Sequence, residues 1–361
     1  MRAVRQNSLG RLGMSVGLAL GVWALASGCS DSPSTTKVDL ARLDAARARA
    51  ASPEREWRTY LGDLSSRQWS PLEQITRGNV TDLEVAWTYH AGEPAASGLQ
   101  LQFNPLVVNG ILYGSSPNLV LFALDASTGE ELWRFDPGVG SWAASPSRGA
   151  AYWREGDDER IYFGARSLLY AVDARSGQLV DEFGAGGVLD LREGLGRDLS
   201  ADMMGVTVTT PATIFEDMIL IGGRVNESEG AAPGYVRAFD ARTGTTRWIF
   251  RTIPMPGEFG ADTWPVDAWK TAGGANSWAG ITVDPERGLA FVPTGSATPD
   301  FFGGARAGSN LFANSLVALD VRTGERRWHQ QLVRHDLWDR DLPSPPNLIE
   351  IERGGVIVPA V

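Results

Sequence analysis

The chain has 361 residues and a formal net charge of −10, and this acidic balance argues against a nucleic-acid partner, because phosphate binding needs a basic face. With 43% hydrophobic and 21% charged residues, the composition is that of a globular protein. The 42 glycines and 13 tryptophans favour an all-β protein with many turns and large packing anchors.

Residues 1–28 have the features of a signal peptide for export. Three arginines precede a short apolar run at 14–26, and small residues then lead to Cys29, the single cysteine of the chain. The segment resembles a bacterial lipoprotein signal, in which Cys29 is lipidated and becomes the new N-terminus. Ordinary signal cleavage with an incidental cysteine is the alternative. Both predict export, and lipidation predicts a periplasmic protein anchored to a membrane.

The exported part is predicted to contain two regions. Residues 29–53 are polar and rich in Ala and Arg, with little apolar periodicity, which predicts a flexible tether with some helical content. Residues 54–361 carry the apolar segments and the turn signals, and they are predicted to form one domain that is incomplete at its C-terminal end.

One pattern recurs four times in this domain. An apolar strand ends at Asp, a tight turn of the form Asp-x-x-Ser/Thr-Gly follows, and the next strand carries Trp four residues after the Gly. In the second repeat Asp181 stands where the others have Trp, so the repeats are not equivalent. The repeats begin at Asp125, Asp173, Asp240 and Asp320.

These repeats predict a β-propeller. A two-stranded hairpin cannot bury a Trp by itself, whereas stacked repeats can. Another strand is predicted upstream of each hairpin, which gives about four strands per repeat, the composition of a propeller blade. Chance similarity of hairpins is the alternative. The long loops between the later repeats are rich in Gly, Pro and Trp, and loops of this kind usually carry function.

The repeats match the tryptophan-docking motif of dehydrogenases that use pyrroloquinoline quinone (PQQ). Residues 56–87 resemble the N-terminal signature of that quinoprotein family. The run His-Asp-Leu-Trp-Asp-Arg-Asp-Leu-Pro at 335–343 resembles its active-site strand, and is most similar to the membrane-bound glucose dehydrogenase branch. The resemblance implies an all-β propeller of eight blades in the complete family, of which this chain supplies about the first half.

The resemblance also implies where PQQ binds. Trp278, in a loop of small residues, matches the family's stacking tryptophan, and Arg148, in Arg-Gly-x-x-Tyr, matches the arginine that pairs with a cofactor carboxylate. Thr210 is the third expected cofactor residue. A blade-packing Trp and a surface Arg are the alternatives for the first two.

Asp339 is expected to be the general base, because the family uses a carboxylate after Trp in this segment to accept the substrate hydroxyl proton. Asp336 and Asp341 are alternatives. If 335–343 is a strand, Asp339 and Asp341 share a face and Asp336 points the other way. Two carboxylates on one face suit a hard cation, so Asp341 is an expected metal ligand.

The remaining expected ligands of Ca²⁺ or Mg²⁺ follow from the resemblance. Asn226 and Glu227 stand where the family places a metal-binding acid, with an exposed loop acid as the alternative for Glu227. Ser296 stands where the family has an asparagine ligand after Thr-Gly, so the chain departs from the pattern there.

These features predict a PQQ-dependent dehydrogenase that oxidises a sugar or an alcohol and passes electrons to a membrane quinone or a cytochrome. A non-catalytic propeller lipoprotein, acting as an outer-membrane assembly scaffold, shares the repeats and the lipoprotein signal but needs neither Arg148 nor the 335–343 segment. An inactive product with the family's pattern is a third possibility.

Overall fold

The computed structural model describes residues 32–50, 56–94, 100–139, 146–199 and 205–361. The predicted signal peptide and the predicted lipidation site at Cys29 lie outside the described residues. Within these ranges the chain is built of short antiparallel strands, and no helix is long and apolar enough to cross a membrane.

The first two sheets are antiparallel. In the first, a short N-terminal strand adds to the outer edge of four sequential strands in the order β1-β5-β4-β3-β2, and in the second the order is β6-β7-β8-β9. The elements of this part are β1 (Ser34–Thr35), α1 (Leu40–Ala48), β2 (Leu106–Val108), β3 (Ile111–Ser115), β4 (Leu121–Asp125), β5 (Glu131–Asp136), β6 (Ala151–Glu155), β7 (Asp158–Ala165), β8 (Leu168–Asp173) and β9 (Val188–Asp190). A turn of 3₁₀ helix, Val80–Asp82, precedes β2.

The third sheet has one two-stranded ribbon beside it. Its elements are β10 (Val206–Thr207), β11 (Thr213–Phe215), β12 (Met218–Ile221), β13 (Arg224–Val225), β14 (Val236–Asp240) and β15 (Thr246–Phe250). The sheet runs β11-β12-β14-β15, and β10 pairs with β13.

The fourth sheet follows the same plan and is succeeded by a separate hairpin. The elements are a 3₁₀ turn (Ala261–Thr263), α2 (Ala268–Thr271), β16 (Gly273–Gly274), β17 (Thr282–Asp284), β18 (Leu289–Pro293), β19 (Ala297–Thr298), β20 (Ser315–Asp320), β21 (Arg326–Gln331), β22 (Ile349–Arg353) and β23 (Val356–Ala360). The sheet runs β17-β18-β20-β21, with β16–β19 and β22–β23 as ribbons. Four-stranded sheets in succession confirm the predicted blades of a propeller.

The repeat turns form as predicted. In the third blade Asp240 ends β14, and its Oδ1 accepts hydrogen bonds from the backbone N–H groups of Arg242 and Thr243, both at 2.9 Å. Gly244 closes the turn with φ of +72°, a conformation that costs glycine little and other residues more. The equivalent glycines of the other three turns have φ between +72° and +75° and are Gly129, Gly177 and Gly324.

Where another blade follows, the repeat tryptophan packs against the turn of that next blade. The indole of Trp133 lies against Gly177, where a Cβ would come within 2.8 Å of the ring, and Trp133 Nε1 donates to Ala174 O at 3.2 Å. The turn glycine is therefore needed for close approach as well as for its positive φ. The same contact recurs for Trp87 on Gly129 and for Trp248 on Gly324.

In the second blade, a nearby aromatic residue takes the place of the missing tryptophan. Phe183 is fully buried and its ring lies against Gly244 of the next turn, while Gly184 N donates to Thr243 O at 3.0 Å. A phenylalanine two residues beyond Asp181 thus occupies the docking position between the second and third blades.

The N-terminal segment differs from the flexible tether that was expected for residues 29–53. Within 32–50, β1 pairs with β5, and α1 buries Leu43 and Ala46 in the same core as the first two blades. Asp39 caps the helix by accepting from the N–H groups of Ala41 and Arg42. This part of the predicted flexible tether is packed onto the first blade, because the two apolar side chains lie on one face of the helix.

A second segment links distant blades across their first strands. Trp57 pairs with Val107 of the first blade, and Leu64 O accepts from Val283 N of the fourth blade at 2.9 Å. Between them Tyr60 lies close to Gly149 at the start of the second blade. The segment therefore contacts the first strands of the first and fourth blades and the start of the second blade.

Candidate cofactor and active site

Loops of the second, third and fourth blades surround a polar cavity of about 220 Å³. Most of the side chains expected from the sequence to form the site line this cavity. The lining residues are Arg148, Thr209, Arg224, Val225, Asn226, Glu227, Asn276, Trp278, Ser296, Thr298, Asp300, Asp339 and Asp341.

Thr210, the third expected cofactor residue, is not among the residues that line the cavity. Its hydroxyl is directed to the protein and donates to the carbonyl oxygen of Trp278, so it supports the Trp278 loop. The preceding Thr209 lines the cavity, and its hydroxyl is buried without a hydrogen-bond partner among the described residues. Two adjacent residues in an extended segment face opposite ways, and sequence motifs alone do not distinguish them.

Trp278 presents an aromatic wall that is held from two sides. The Arg148 guanidinium carbon lies 5.2 Å from the ring centroid, a cation–π arrangement. Trp278 Nε1 donates to Asp341 Oδ2 at 2.6 Å. The ring is thereby fixed between a cation and a carboxylate at the edge of the cavity.

Arg148 has unused hydrogen-bonding capacity. Its Nη1 is buried and has no partner among the described residues. Burial, and to a smaller extent the positive charge of Arg224, lowers the pKa of Arg148. A desolvated guanidinium beside an aromatic face, with a free N–H and a second cation nearby, fits a planar anion such as a carboxylate-bearing quinone.

The segment 335–343 is an irregular loop, and the expectation of a strand was wrong. Asp336 is 3% exposed and turns the loop back on itself, because its carboxylate accepts from Arg340 N at 2.6 Å and from Trp338 N at 3.1 Å. It also accepts from the Ser296 hydroxyl and from Asn314 Nδ2. Both His335 and Asp339 have positive φ, which a regular strand does not allow.

The expected grouping of the carboxylates nevertheless matches the structure for a different reason. Asp339 and Asp341 line the cavity, whereas Asp336 lies beneath it. The loop conformation imposed by Asp336 produces this arrangement, and strand alternation plays no part.

Two short hydrogen bonds position the carboxylate of Asp341. Besides the Trp278 indole, Ser296 N donates to Asp341 Oδ1 at 2.6 Å. A Cβ at Gly295 would come within 2.4 Å of the same oxygen, so only glycine lets the carboxylate approach the backbone there. Each carboxylate oxygen of Asp341 therefore accepts one hydrogen bond, and the side chain lies at the cavity wall.

The cavity carries an excess of negative charge. Burial, with the charges of Asp341, Glu227 and Asp336, raises the pKa of Asp339. Burial, with the charges of Asp339, Glu227 and Asp341, raises the pKa of Asp300 to about 7. Arg224 pairs with Glu227 at 3.2 Å and offsets part of this charge.

The sequence interpretation missed Asp300, Thr298 and Arg224. Asp300 and Thr298 belong to the same stretch as Ser296, and a signal was present there, since a carboxylate four residues after the substituted ligand position can reach the same loop cluster. In the part of the chain that the structure describes, no three His, Cys, Asp or Glu side chains are arranged to hold a metal by themselves. A cation here would draw on amide, hydroxyl and cofactor oxygens as well as carboxylates.

A comparison of the sequence with known protein families identifies the family of this chain. The model for the β-propeller domain of PQQ-dependent glucose, ethanol and alcohol dehydrogenases matches residues 57–361. The chain therefore belongs to the PQQ dehydrogenase family, and the match lies in the β-propeller domain of that family.

Three relatives show the extent of the similarity. The quinoprotein glucose dehydrogenase of Escherichia coli strain K12 is 33% identical over 344 residues, covering 88% of this chain and 42% of that protein. The quinate/shikimate dehydrogenase (quinone) of Acinetobacter baylyi is 30% identical over 341 residues, covering 86% and 42%. The crystal structure of quinohemoprotein alcohol dehydrogenase from Comamonas testosteroni superimposes with a TM-score of 0.73 at 28% identity, covering 89% of this chain and 48% of that one. The chain thus spans less than half the length of these relatives.

Proposed function

We propose that this propeller domain oxidises the CH–OH group of a sugar or an alcohol with PQQ and a divalent cation bound in the polar cavity. The observation that carries the proposal is the pairing of Trp278 with the desolvated Arg148, whose buried N–H has no partner among the described residues. An aromatic wall and an unsatisfied cation are what a planar polycarboxylate needs.

Three side chains would hold the cofactor. The face of Trp278 supports the planar ring system, the Arg148 guanidinium donates to a carboxylate, and the free hydroxyl of Thr209 supplies a further hydrogen bond. Bound PQQ supplies a two-electron acceptor for hydride from the substrate carbon. The protein's share of this step is to orient the ring and to exclude water from one face of it.

Oxygen ligands for Ca²⁺ or Mg²⁺ also line the cavity. Asn226, Glu227 and Asp341 supply amide and carboxylate oxygens, and hard cations prefer such ligands. A cation at this place would offset the negative charge described above and polarise a carbonyl or hydroxyl oxygen.

Asp339 is the residue that we propose as general base. It lines the cavity and makes no side-chain hydrogen bond within the described residues, so its oxygens are available to a substrate hydroxyl. Its raised pKa brings it closer to neutral pH, where proton acceptance is most effective. The hydroxyl proton would pass to Asp339 as hydride leaves the carbon.

The finer parts of the proposal rest on the sequence. The 335–343 segment favours a glucose-like sugar over a simple alcohol, and the lipoprotein-type signal favours a periplasmic protein anchored to the membrane through Cys29. A membrane quinone or a cytochrome would then receive the electrons. The assembly-scaffold alternative does not require the cavity, its desolvated arginine or its carboxylates, and it is therefore less well supported.

Reconstitution tests the proposal. The purified chain is incubated with PQQ and Ca²⁺ and passed through a desalting column. We expect quinone absorbance to co-elute with wild type and with Arg322→Ala, which removes an exposed arginine that pairs with Glu216, but to be reduced for Arg148→Ala. Addition of glucose or a primary alcohol should then reduce the bound quinone. Absence of quinone absorbance in the wild-type fraction would contradict the proposed function.

A further inference from the structure

The Ser296 hydroxyl is already committed to the protein. It donates to Asp336 and accepts from Asn314 Nδ2 at 3.1 Å, and the residue is 4% exposed. A hydroxyl has one proton and two lone pairs, so at most one lone pair remains. The position where the family places an amide ligand therefore offers little to a cation in this chain.

The carboxylate of Asp300, in contrast to the Ser296 hydroxyl, is not committed to the protein. It is 4% exposed and lines the cavity, and within the described residues its carboxylate makes no hydrogen bond and no ion pair. Buried carboxylates are ordinarily paired or bound to a metal, because an isolated buried charge is strongly disfavoured. The positive charge that acts on it, Arg306, donates instead to Asn310 and to the backbone carbonyls of Pro299 and Asp336, and its buried Nε has no partner among the described residues.

The neighbours of Asp300 identify the kind of ligand that it lacks. Its acidic neighbours in the cavity are Asp339, Glu227 and Asp341, and with Asp300 they outnumber the two arginines of the lining, Arg148 and Arg224. An anionic or neutral ligand would leave this repulsion in place, whereas a divalent cation relieves it. Oxygen-only donors of this type select hard cations such as Ca²⁺ and Mg²⁺.

We propose that Asp300, in place of Ser296, is a ligand of the divalent cation in this chain. The inference rests on the proposed function, since the cation is the one that accompanies the cofactor. It goes beyond that function because it moves a ligand four residues along the chain and exchanges an uncharged donor for a carboxylate.

Calorimetric titration of Ca²⁺ into the metal-stripped chain, with and without PQQ, tests the assignment. We expect Asp300→Asn to weaken Ca²⁺ binding by at least about tenfold, the scale on which even supporting residues of metal sites act. Ser296→Ala should weaken it much less, because the backbone N–H of residue 296 still holds Asp341. Asp181→Asn, which removes an exposed acid of the second blade, controls for the loss of one negative charge.

Thermal unfolding of the metal-free variants separates a ligand from a structural residue. Asp300→Asn and Asp300→Ser should keep or raise the metal-free melting temperature, because each removes an unpaired buried charge, and should lose the Ca²⁺-induced increase that wild type shows. A residue with only a structural role would instead lower the metal-free value and leave the increase in place.

The outcomes are distinct. Wild-type Ca²⁺ affinity in Asp300→Asn, loss of affinity in Ser296→Ala alone, or no Ca²⁺ binding by the wild-type chain in either condition would each overturn the assignment. If Ca²⁺ binding depends on Asp300 but no variant, including wild type, binds PQQ, the assignment stands and the proposed function fails.

Discussion

The indole N–H of Trp278 donates a hydrogen bond to Asp341 Oδ2 at 2.6 Å, and this contact joins the aromatic wall of the cavity to one of its carboxylates. The two residues are 63 positions apart and lie in loops that follow different blades. The orientation of the ring and the position of the carboxylate are thus set together, which ties the proposed cofactor face to the proposed cation ligands.

The first prediction separates the two roles of Trp278. Trp278→Ala should weaken PQQ binding by roughly 1–3 kcal/mol, the scale of losing one aromatic stacking platform. Trp278→Phe keeps a ring but removes the donor to Asp341, so it should retain much of the PQQ affinity. Fluorescence or absorbance titration with PQQ measures both, and Trp328→Ala, at a partly exposed repeat tryptophan that does not line the cavity, is the control. An unchanged titration for Trp278→Ala would reassign the residue to packing.

The second prediction concerns Asp339. Asp339→Asn should keep the fold, because asparagine tolerates the positive φ of this position, and should keep PQQ. Its amide cannot accept the substrate proton, so turnover should fall by roughly 10²–10⁴-fold at every substrate concentration. Steady-state kinetics of the PQQ-loaded protein, with bound PQQ quantified in parallel, provide the measurement. Near-normal turnover would show that another group accepts the proton.

The third prediction follows from Asp336, which the structure places under the cavity. Burial alone would raise its pKa, but the hydrogen bonds from Ser296, Asn314 and the backbone of Arg340 and Trp338 outweigh burial and lower the pKa. A lowered folded-state pKa contributes stability that is present above the unfolded value of about 4 and is lost as the pH falls through the folded value.

Asp336→Asn should therefore reduce the free energy of unfolding by about 1–3 kcal/mol at pH 7, the cost of leaving buried donors unsatisfied. The difference from wild type should shrink as the pH falls below about 4, where the unfolded-state carboxyl also binds a proton. Urea denaturation at pH 7 and at pH 3 measures both values. Equal stability of the two proteins at pH 7 would show that the network around Asp336 is not needed for the loop.

The fourth prediction compares two repeat tryptophans. Trp248 is 7% exposed and its Nε1 donates to Val321 O at 3.0 Å, so Trp248→Ala should destabilise the domain by about 3–5 kcal/mol. Trp328 is 38% exposed, so Trp328→Ala should have a smaller effect. Denaturant unfolding of this chain gives both values, and equal losses would mean that docking on the turn glycine is not what holds adjacent blades together.

The fifth prediction concerns export. If Cys29 is acylated, wild type should sediment with membranes, and Cys29→Ser should be released into the soluble periplasmic fraction, since no other cysteine can carry the lipid. Cell fractionation with detection of the chain distinguishes the two. Fully soluble wild-type protein would instead support cleavage by an ordinary signal peptidase.

The blades could be predicted because their signals are local. In each repeat the Asp and the Gly, and in three of the four also the Trp, lie within nine residues of one another, and the turn is closed by hydrogen bonds that Asp240 and its equivalents make to their own neighbours. Trp278 and Arg148 could likewise be recognised from the short motifs around them.

Other features depend on partners far along the chain and could not be read from short motifs. Phe183 replaces a repeat tryptophan only because the turn at Gly244 accepts its ring, and Thr209 faces the cavity only because Thr210 binds the carbonyl of Trp278. The sequence interpretation kept the packed residues 32–50 as a tether for the same reason, since the core that buries Leu43 is formed by the first two blades.

The carboxylates of the cavity show most clearly what short sequence motifs cannot predict. The family resemblance suggested a strand at 335–343, but the hydrogen bonds from Ser296 and Asn314 to Asp336 form across 40 and 22 residues and favour a loop. Asp300 stands out only in three dimensions, because burial and the absence of a partner among the described residues are properties of its surroundings. Hydrogen bonds and charges act through space, so their strength at one residue depends on where the fold brings the others.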